Sequence, residues 1–271
     1  MLEDFRFQFR HQELKNNLAM NTFATFGLYR NVGQILEDLS KYENFKPVQQ
    51  LIQIYKEAKI KCDEEKNCAK YPLIVLEGLD GSGKTSMSKK LAKVWGAQKW
   101  LTPPESIRFL RDYFDRNFEL RSAYYSLGNY IAALEVSCLL DKKPVLMDRF
   151  WHSTTAYALA QAVADNPQYL KLPDAANEIY KWPEDLLKPE KVIFLNVSEE
   201  VRLERHSRRS VDLVTAQEKL LKDDTKFRQD IIQAYNNMRE PKIDIVNGDG
   251  SFGKTLFLLK SSVQSLLPLK N

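Results

Sequence analysis

The sequence contains few of the residues that build metal centres or disulfide frameworks. Among its 271 residues are three cysteines, Cys62, Cys68 and Cys138, an odd number without the C-x-x-C spacing of zinc or redox sites. Such a set predicts reduced thiols in a reducing compartment. The three histidines are scattered along the chain, which argues against a histidine-based metal site.

Long apolar runs and a dominant charge are also missing. No run approaches the ~20 apolar residues of a membrane helix, so no membrane span is expected. The 40 basic and 36 acidic residues leave a net charge of +4, too little for a protein that coats nucleic acid. Glu3 and Asp4 weaken any prediction of a transit peptide. Any anionic ligand must therefore be held by local clusters of cations.

Residues 1–70 differ in pattern from the rest of the chain. Phenylalanines alternate with polar residues over 5–9, which predicts a short strand, and apolar residues at helical spacing predict helices over about 32–42 and 48–58. Positions 59–70 are rich in charge and poor in apolar residues, which is typical of a linker. We interpret the segment as a mostly helical N-terminal extension with a linker, packed on the core rather than serving as a partner-binding module.

From residue 71 to 271, short apolar runs alternate with amphipathic stretches. The predicted strands are 73–77, 97–101, 145–148, 192–197 and 243–246. The predicted helices are about 84–95, 105–116, 121–142, 151–165, 199–209, 216–238 and 253–266. This alternation predicts a second domain, 71–271, of the α/β class, with a five-stranded parallel sheet and helices on both faces.

The first predicted strand ends in a glycine-rich turn with the pattern G-x-x-x-x-G-K-T. Its residues are Gly78, Leu79, Asp80, Gly81, Ser82, Gly83, Lys84 and Thr85. Glycines allow successive backbone N–H groups to surround a phosphate, and the start of the following helix adds its positive dipole end. Lys84 is expected to reach the β- and γ-phosphates of a nucleotide, and the Thr85 hydroxyl to ligate Mg²⁺. The turn makes the predicted fold one of the P-loop NTPase type.

A second turn, 248–255, matches the same pattern after the last predicted strand. The sequence downstream is long enough for one helix and for no further strand. A nucleotide loop needs a neighbouring strand that brings a carboxylate toward the metal. We therefore interpret this turn as a strand–helix connection near the adenine rather than as a phosphate site.

A strand over 145–148 supplies the carboxylate that the first turn requires. It ends in Asp148, which is followed by Arg149. Asp148 is expected to bind Mg²⁺ or its waters, and the Arg149 guanidinium to bind a phosphate in a bidentate manner. A structural ion pair at the strand end is the alternative.

Four arginines follow the fourth predicted strand. They are Arg202, Arg205, Arg208 and Arg209. The first, second and fourth of them share a helix face. A solvated face is the ordinary explanation. Because they follow a strand on the ligand side of the sheet, a basic lid over a triphosphate explains them better. We assign Arg205 and Arg209 to the transferring group, and Arg202 and Arg208 to the donor nucleotide.

The segment 121–130 combines a cation, aromatic rings and an amide. Arg121, Tyr125 and Asn129 are its candidate ligand-binding residues. Aromatic faces stack on bases, and an amide offers both a donor and an acceptor to a base edge. The alternative is a helix whose tyrosines belong partly to the core.

From residue 71 onward, the chain resembles the thymidylate-kinase-like nucleoside monophosphate kinases, and within them the mitochondrial UMP/CMP kinases. The glycine-rich turn, the arginine-rich lid and the strings at 125–130, 148–154 and 182–189 carry this resemblance. It implies that Asp80 holds the acceptor's sugar hydroxyl, Tyr125 stacks on its base and Arg149 binds its phosphate. It also implies that the lid arginines serve ATP, because Gly81 stands where other members carry an arginine in the loop.

Two departures from the thymidylate kinase pattern concern the acceptor. Asn129 stands where those enzymes carry an arginine that reads thymine, and an amide suits cytosine or uracil as well. Ser106 replaces a phosphate-binding arginine, so Arg108, Arg111 or Arg121 must take its role.

The resemblance implies ATP- and Mg²⁺-dependent phosphorylation of CMP, UMP, dCMP or dUMP. A dTMP kinase or a deoxynucleoside kinase is the alternative. A nucleotide-binding switch without acceptor turnover is a third interpretation, although no guanine-reading N-K-x-D motif is present. The expected partners are small nucleotides, and a homodimer is compatible with the pattern. Mitochondrial placement rests on the resemblance alone, with the cytosol as the alternative.

Overall fold

The computed structural model describes residues 22–65, 69–207 and 224–267, without the side chains of 206 and 207. The strand predicted at 5–9 lies outside these residues. Among the described helices, none has the length and apolar character needed to cross a bilayer.

The described part of the chain contains one sheet of five parallel strands, which confirms the predicted fold class. The strands are β1 (Leu73–Glu77), β2 (Gln98–Leu101), β3 (Val145–Asp148), β4 (Lys191–Asn196) and β5 (Ile243–Asn247). Their order is β2-β3-β1-β4-β5. In the register, Leu76 lies opposite Asp148 on one side and Ile193 on the other. The carboxyl ends of β1 and β3 therefore meet at the same edge, where ligands bind in open α/β sheets.

The sheet is covered on both faces, which explains why β1 is apolar along almost its whole length. All five of its residues are buried. Leu73 and Val75 belong to one core cluster, and Ile74 and Leu76 to the other, because successive side chains of a strand point to opposite faces.

The helices that follow residue 71 lie where they are predicted, but one is divided, and three described ends differ by three to five residues: helix 121–142 spans 118–137, and the last helix ends at 262 rather than 266. They are α4 (Lys84–Trp95), α5 (Glu105–Arg108), α6 (Arg111–Arg116), α7 (Phe118–Ser137), α8 (Trp151–Asp165), α9 (Glu199–Ser207), α10 (Thr225–Asn237) and α11 (Phe252–Ser262). The predicted helix 105–116 is two helices, because the N–H of Leu110 bonds to Ile107 and breaks the helical register. The beginning predicted for α10, 216–223, lies outside the described residues.

Helix α7 ends five residues earlier than the sequence pattern predicts. The carbonyl of Leu140 accepts hydrogen bonds from the N–H groups of Lys70 and Tyr71, at 3.0 and 2.9 Å. In a longer helix the partner of this carbonyl would be residue 144, a proline without an N–H, so these bonds instead fix the path of the chain after α7. Pro144 also disfavours helical backbone just before it.

The N-terminal extension is helical where the structure describes it. Its helices are α1 (Thr22–Thr25), α2 (Val32–Ser40) and α3 (Lys46–Glu64). The prediction of a linker from residue 59 is wrong for 59–64, because this charged stretch consists largely of good helix formers and continues α3. Leu39 and Leu51 belong to the same core cluster as Tyr124 and Leu127 of α7. The extension therefore packs on the core, as expected.

Candidate nucleotide-binding site

The turn between β1 and α4 forms a backbone cradle that depends on glycine. Gly78, Gly81 and Gly83 have φ angles of 145°, 85° and 91°, which only glycine adopts readily. A Cβ atom at Gly78 would lie 2.8 Å from the carbonyl oxygen of Leu195. The strand packing on this side leaves no room for any other residue at position 78.

Lys84, the first residue of α4, folds over this cradle. Its side chain is 6% exposed, and Nζ donates hydrogen bonds to the carbonyl oxygens of Gly78 and Leu79, both at 2.8 Å. Burial, together with repulsion by Arg149, lowers the pKa of Lys84 to about 8. The ammonium group is therefore held by backbone carbonyls at the edge of the turn, and its pKa lies closer to neutral pH than that of an exposed lysine.

A hydroxyl and a carboxylate meet beside the turn. The Oγ1 atom of Thr85 donates a hydrogen bond to Oδ2 of Asp148 at 3.2 Å, because β3 is paired with β1. Oxygen ligands of these two types suit a hard divalent cation such as Mg²⁺. Among the described residues, no group of three or more His, Cys, Asp or Glu side chains forms another candidate metal site.

Arg149 and Asp80 form an ion pair across the site. Arg149 has a φ angle of 66°, and its Nη2 donates to Oδ1 of Asp80 at 2.6 Å. Its Nη1 donates to Ser153, and Tyr157 donates to the other oxygen of Asp80. Burial alone would raise the pKa of Asp80, but Arg149 and Lys84 outweigh it and hold that pKa well below its usual range. The carboxylate is therefore ionised, and each of its oxygens accepts a hydrogen bond from one of these side chains.

Glu77 is a site residue that sequence reasoning missed. This last residue of β1 is fully buried. Its Oε1 accepts from the N–H of Phe150 at 2.9 Å, and its Oε2 from the hydroxyl groups of Tyr235, at 2.8 Å, and Ser153. Burial raises the pKa of Glu77, although Arg149 and these hydrogen bonds oppose the shift. The residue fixes the turn that carries Arg149, and the available signal was a charge at the end of an apolar strand.

Two arginines of α9 donate hydrogen bonds to backbone carbonyl oxygens of the turn. Arg202 is 1% exposed; its Nη1 donates to the carbonyl oxygen of Asp80 at 3.2 Å, and Glu199 binds the rest of the guanidinium. Nη1 of Arg205 donates to the carbonyl oxygen of Ser82 at 2.8 Å. These arginines share one helix face, as the spacing predicts, and both contact the turn.

The second half of the predicted lid lies beyond the described part of α9. Arg208 and Arg209 are outside the described residues, so their roles stay predictions. Arg205 also donates to the carbonyl oxygen of Gly248, at 2.7 Å. This contact links the arginine helix to the second glycine-rich turn.

The second turn has the structure of a strand–helix connection. Asp249 accepts a hydrogen bond from the N–H of Ser198 at 2.7 Å, and Ser251 caps α11 by accepting from the N–H of Lys254. Within the described sheet, β5 is an edge strand. No described strand therefore brings a carboxylate to this turn from its outer side, in line with the interpretation from sequence.

Asp115 of α6 gathers three of the side chains predicted to bind an acceptor. Its carboxylate accepts from the hydroxyl of Tyr125 at 2.8 Å and from Nε of Arg111 at 3.1 Å, and Nε of Arg121 lies 3.5 Å away. Arg108 instead pairs with Glu105. Sequence reasoning missed Asp115, because an acid in a charge-rich helix looks like a solvated residue.

Asn129 lies one turn of α7 beyond Tyr125 and is 1% exposed. Its Nδ2 donates to Oγ1 of Thr154 at 3.0 Å. Its Oδ1 has no hydrogen-bond partner within the described residues. A buried amide oxygen without a partner is costly, which is consistent with a position that a ligand completes.

The glycine cradle, the lysine at the helix start and the hydroxyl–carboxylate pair on the neighbouring strand define a P-loop nucleotide-binding protein. Comparison with known families carries this further. Residues 76–249 match the sequence profile described as thymidylate kinase. This match covers more than half of the chain, and the chain belongs to the thymidylate kinase family.

Two curated proteins illustrate the similarity in sequence. The mitochondrial UMP-CMP kinase 2 of Homo sapiens is 37% identical over 205 residues, which cover 75% of this chain and 45% of the human protein. A probable thymidylate kinase of Methanocaldococcus jannaschii is 32% identical over 138 residues, 49% of this chain and 68% of that protein. The chain therefore spans about half the length of its human relative.

Two solved structures illustrate the similarity in fold. The thymidylate kinase of Candida albicans has a TM-score of 0.55 at 21% identity, covering 72% of this chain and 92% of that one. A deoxyadenosine kinase from M. mycoides with bound dATP has a TM-score of 0.52 at 17% identity, with coverages of 70% and 98%. At these identities the likeness supports the fold.

Proposed function

We propose that the protein is a nucleoside monophosphate kinase of the UMP/CMP type, which uses ATP and Mg²⁺ to phosphorylate CMP, UMP, dCMP or dUMP. We place the kinase domain at residues 71–271. The observation that carries the proposal is the convergence of Lys84, the Thr85–Asp148 pair and the Arg149–Asp80 pair at one edge of the sheet. The similarity to the human UMP-CMP kinase over three-quarters of the chain supports the choice of acceptor.

The donor half of the site is built on the first turn. The backbone of residues 78–83 would surround the phosphates of ATP, with Lys84 at the β- and γ-phosphates. Thr85 and Asp148 would hold Mg²⁺, which when bound neutralises negative charge on the phosphates. Arg202 and Arg205 donate to carbonyl groups of this turn, and we keep for Arg202 the predicted role at the donor nucleotide and for Arg205 the one at the transferring group.

The acceptor half uses the Arg149–Asp80 pair. An acceptor phosphate that binds the Arg149 guanidinium would release the Asp80 carboxylate to accept a hydrogen bond from the sugar. Arg111 and Arg121 carry positive charge beside Asp115 and are the candidates for the missing phosphate-binding arginine. With both phosphates held by cations, the acceptor oxygen attacks the γ-phosphorus directly, ADP leaves, and no covalent enzyme intermediate forms.

The first prediction concerns which acceptors are used. We expect turnover of both CMP and UMP, with kcat/KM values within about tenfold of each other, because the amide of Asn129 can donate to uracil or accept from cytosine. A coupled assay of ADP release over CMP, UMP, dCMP, dUMP, dTMP and the free nucleosides measures this. Clear preference for dTMP would favour the thymidylate kinase alternative, and activity on nucleosides alone would favour a deoxynucleoside kinase.

A switch without acceptor turnover is the alternative from another class. The family membership and the missing guanine-reading motif argue against it. Thermal shift assays with adenine and guanine nucleotides distinguish the two. Stabilisation by GTP but not by ATP, together with no ADP release for any acceptor, would reject the kinase.

The second prediction concerns pH. The pKa of Lys84 is about 8 in the structure, and bound phosphate anions would raise it, because they stabilise the ammonium form. Above this pH only the free protein loses the proton, so the affinity for ATP should fall, by at most about tenfold per pH unit. Calorimetric titration with ATP from about pH 7.5 to pH 9.5 measures the slope.

The matched control is Lys84→Arg, whose guanidinium stays charged throughout this range. Its affinity for ATP should be nearly independent of pH, even if it is lower overall. An equally steep fall in both proteins would assign the proton to a different group.

A further inference from the structure

Helix α7 has two sides with different partners. One carries Arg121, Tyr125 and Asn129, four residues apart, which the proposed function assigns to the acceptor. The other packs against α2 and α3 of the extension. Both sides belong to one helix, so a shift of α2 and α3 against it would also move Arg121, Tyr125 and Asn129.

Polar contacts fix the extension to this helix in addition to the apolar core. The hydroxyl of Ser122 donates to the carbonyl oxygen of Gly27. The hydroxyl of Tyr42 donates to Glu119 at 3.2 Å. Ser122 directly follows Arg121 in the chain, so the extension contacts α7 next to a predicted acceptor-binding side chain.

Asp185 joins the extension and α7 through one carboxylate. Its Oδ2 accepts from the N–H of Val32, the first residue of α2, at 2.9 Å. Its Oδ1 accepts from the hydroxyl of Tyr130 of α7 at 2.6 Å. An anion at a helix N-terminus is favourable, and hydrogen bonds to a charged acceptor are stronger than those between neutral groups. Burial and this bond raise the pKa of Tyr130, so the phenol keeps the proton that it donates.

The loop that carries Asp185 also contacts the Arg149 turn. Trp182 donates from Nε1 to the carbonyl oxygen of Leu186 at 2.9 Å, which closes the loop around Asp185. The Trp182 ring packs against Phe150 and Trp151, with centroid distances of 5.6 and 5.1 Å. These residues directly follow Arg149, so the loop lies between the two elements that would hold the acceptor.

We propose that Asp185 is a positioning residue for the acceptor half of the site. By joining α2 to α7 from a loop that packs on the Arg149 turn, it sets the distance between Arg149 and the side chains of Arg121, Tyr125 and Asn129. The inference rests on the proposed function for the identity of the acceptor. It gives the N-terminal extension a role in binding the acceptor and none in binding ATP.

The test separates the two substrates. We expect Asp185→Ala and Tyr130→Phe each to raise KM for CMP or UMP by about three- to tenfold, the effect of one typical hydrogen bond, with KM for ATP changed by less than about twofold. Tyr130→Phe removes one of the two contacts that Asp185→Ala removes, so the double variant should be little worse than Asp185→Ala alone. Tyr130→Phe keeps the ring in place and serves if Asp185→Ala does not fold.

The matched control is Tyr29→Phe, which removes a phenol hydrogen bond to Asp38 inside the extension. It should lower the thermal stability without changing the ratio of the two KM values. Equal changes in both KM values for Asp185→Ala and Tyr130→Phe, or no change in either, would overturn the inference.

Amide hydrogen exchange tests the role of Asp185 without any nucleotide, so its outcome does not depend on which acceptor the protein uses. Without ligand, Asp185→Ala and Tyr130→Phe should speed exchange over 118–137 and leave 252–262 unchanged. Unchanged exchange over 118–137 would also overturn the inference. If the wild-type protein phosphorylates no pyrimidine monophosphate, but both variants exchange faster over 118–137, only the proposed function is rejected and the positioning role of Asp185 stands.

Discussion

Replacing Lys84 by alanine is expected to lower kcat by about a thousandfold, the cost of losing a fixed cation at the transferring group. In phosphoryl transfer, charge develops on the equatorial oxygens, and a buried ammonium stabilises it more strongly than water does. The Nζ atom is held at the edge of the turn by the carbonyl groups of Gly78 and Leu79. A coupled assay of ADP release measures kcat, and circular dichroism with thermal unfolding measures the fold.

The control for this prediction is Lys89→Ala on the same helix. Lys89 is exposed on α4, so its removal should change neither kcat nor stability noticeably. Lys84→Met keeps the aliphatic stem in its buried position and replaces the alanine variant if that one loses stability. Wild-type turnover in a folded Lys84 variant would remove Lys84 from the mechanism and, with it, the main argument for the first turn as the donor site.

The central strands follow from the sequence because their physical cause is local. The run from Leu73 to Leu76 is apolar without alternation, which is what burial on both faces of a parallel sheet requires. A glycine-rich turn and an amphipathic helix follow directly, so each of the three elements supports the prediction of the other two. The predicted ends match the observed ones for β1 and β3 and differ by one residue for the other three strands, because pairing with a neighbour, rather than composition, decides where a strand stops.

The differences in the helices have causes that lie far away in sequence. The path of the chain after α7 is fixed by Lys70 and Tyr71, which bond to Leu140. The continuation of α3 through 59–64 shows the opposite case, since a charged helix face in solvent has the same composition as a linker. Periodicity alone does not separate these outcomes.

The residues of the candidate site also fall into two groups, those that local motifs predict and those whose contacts depend on distant parts of the chain. Lys84, Thr85, Asp148 and Arg149 belong to short motifs whose spacing fixes their geometry, and the structure brings them together. Asp115 and Asp185 bond to partners from other elements, and no local pattern in the sequence predicts these contacts. Such residues become visible only when the hydrogen bonds of the folded chain are known.

Glu77→Ala should destabilise the folded protein by about 3–5 kcal/mol, the cost of breaking a buried charged network by removing one partner. Glu77 is fully buried, and its loss leaves the N–H of Phe150 and the hydroxyl of Tyr235 without this acceptor. A domain is stable by only about 5–15 kcal/mol, so this is a large share of the total. Urea unfolding monitored by tryptophan fluorescence measures the change.

Glu190→Ala is the matched control, because Glu190 also accepts a backbone hydrogen bond, from Leu73 at the other end of β1, but is exposed. Its removal should cost at most about 1 kcal/mol, since water replaces the lost acceptor. Glu77→Gln tests the charge: burial raises the pKa of Glu77 in the folded state, so the folded chain holds this proton more tightly than the unfolded chain does. The advantage of the wild type over Glu77→Gln should then be greatest at low pH and shrink as the pH rises through the folded pKa. An equal loss for Glu77→Ala and Glu190→Ala would mean that burial adds nothing to this carboxylate's role, and the turn carrying Arg149 would need another anchor.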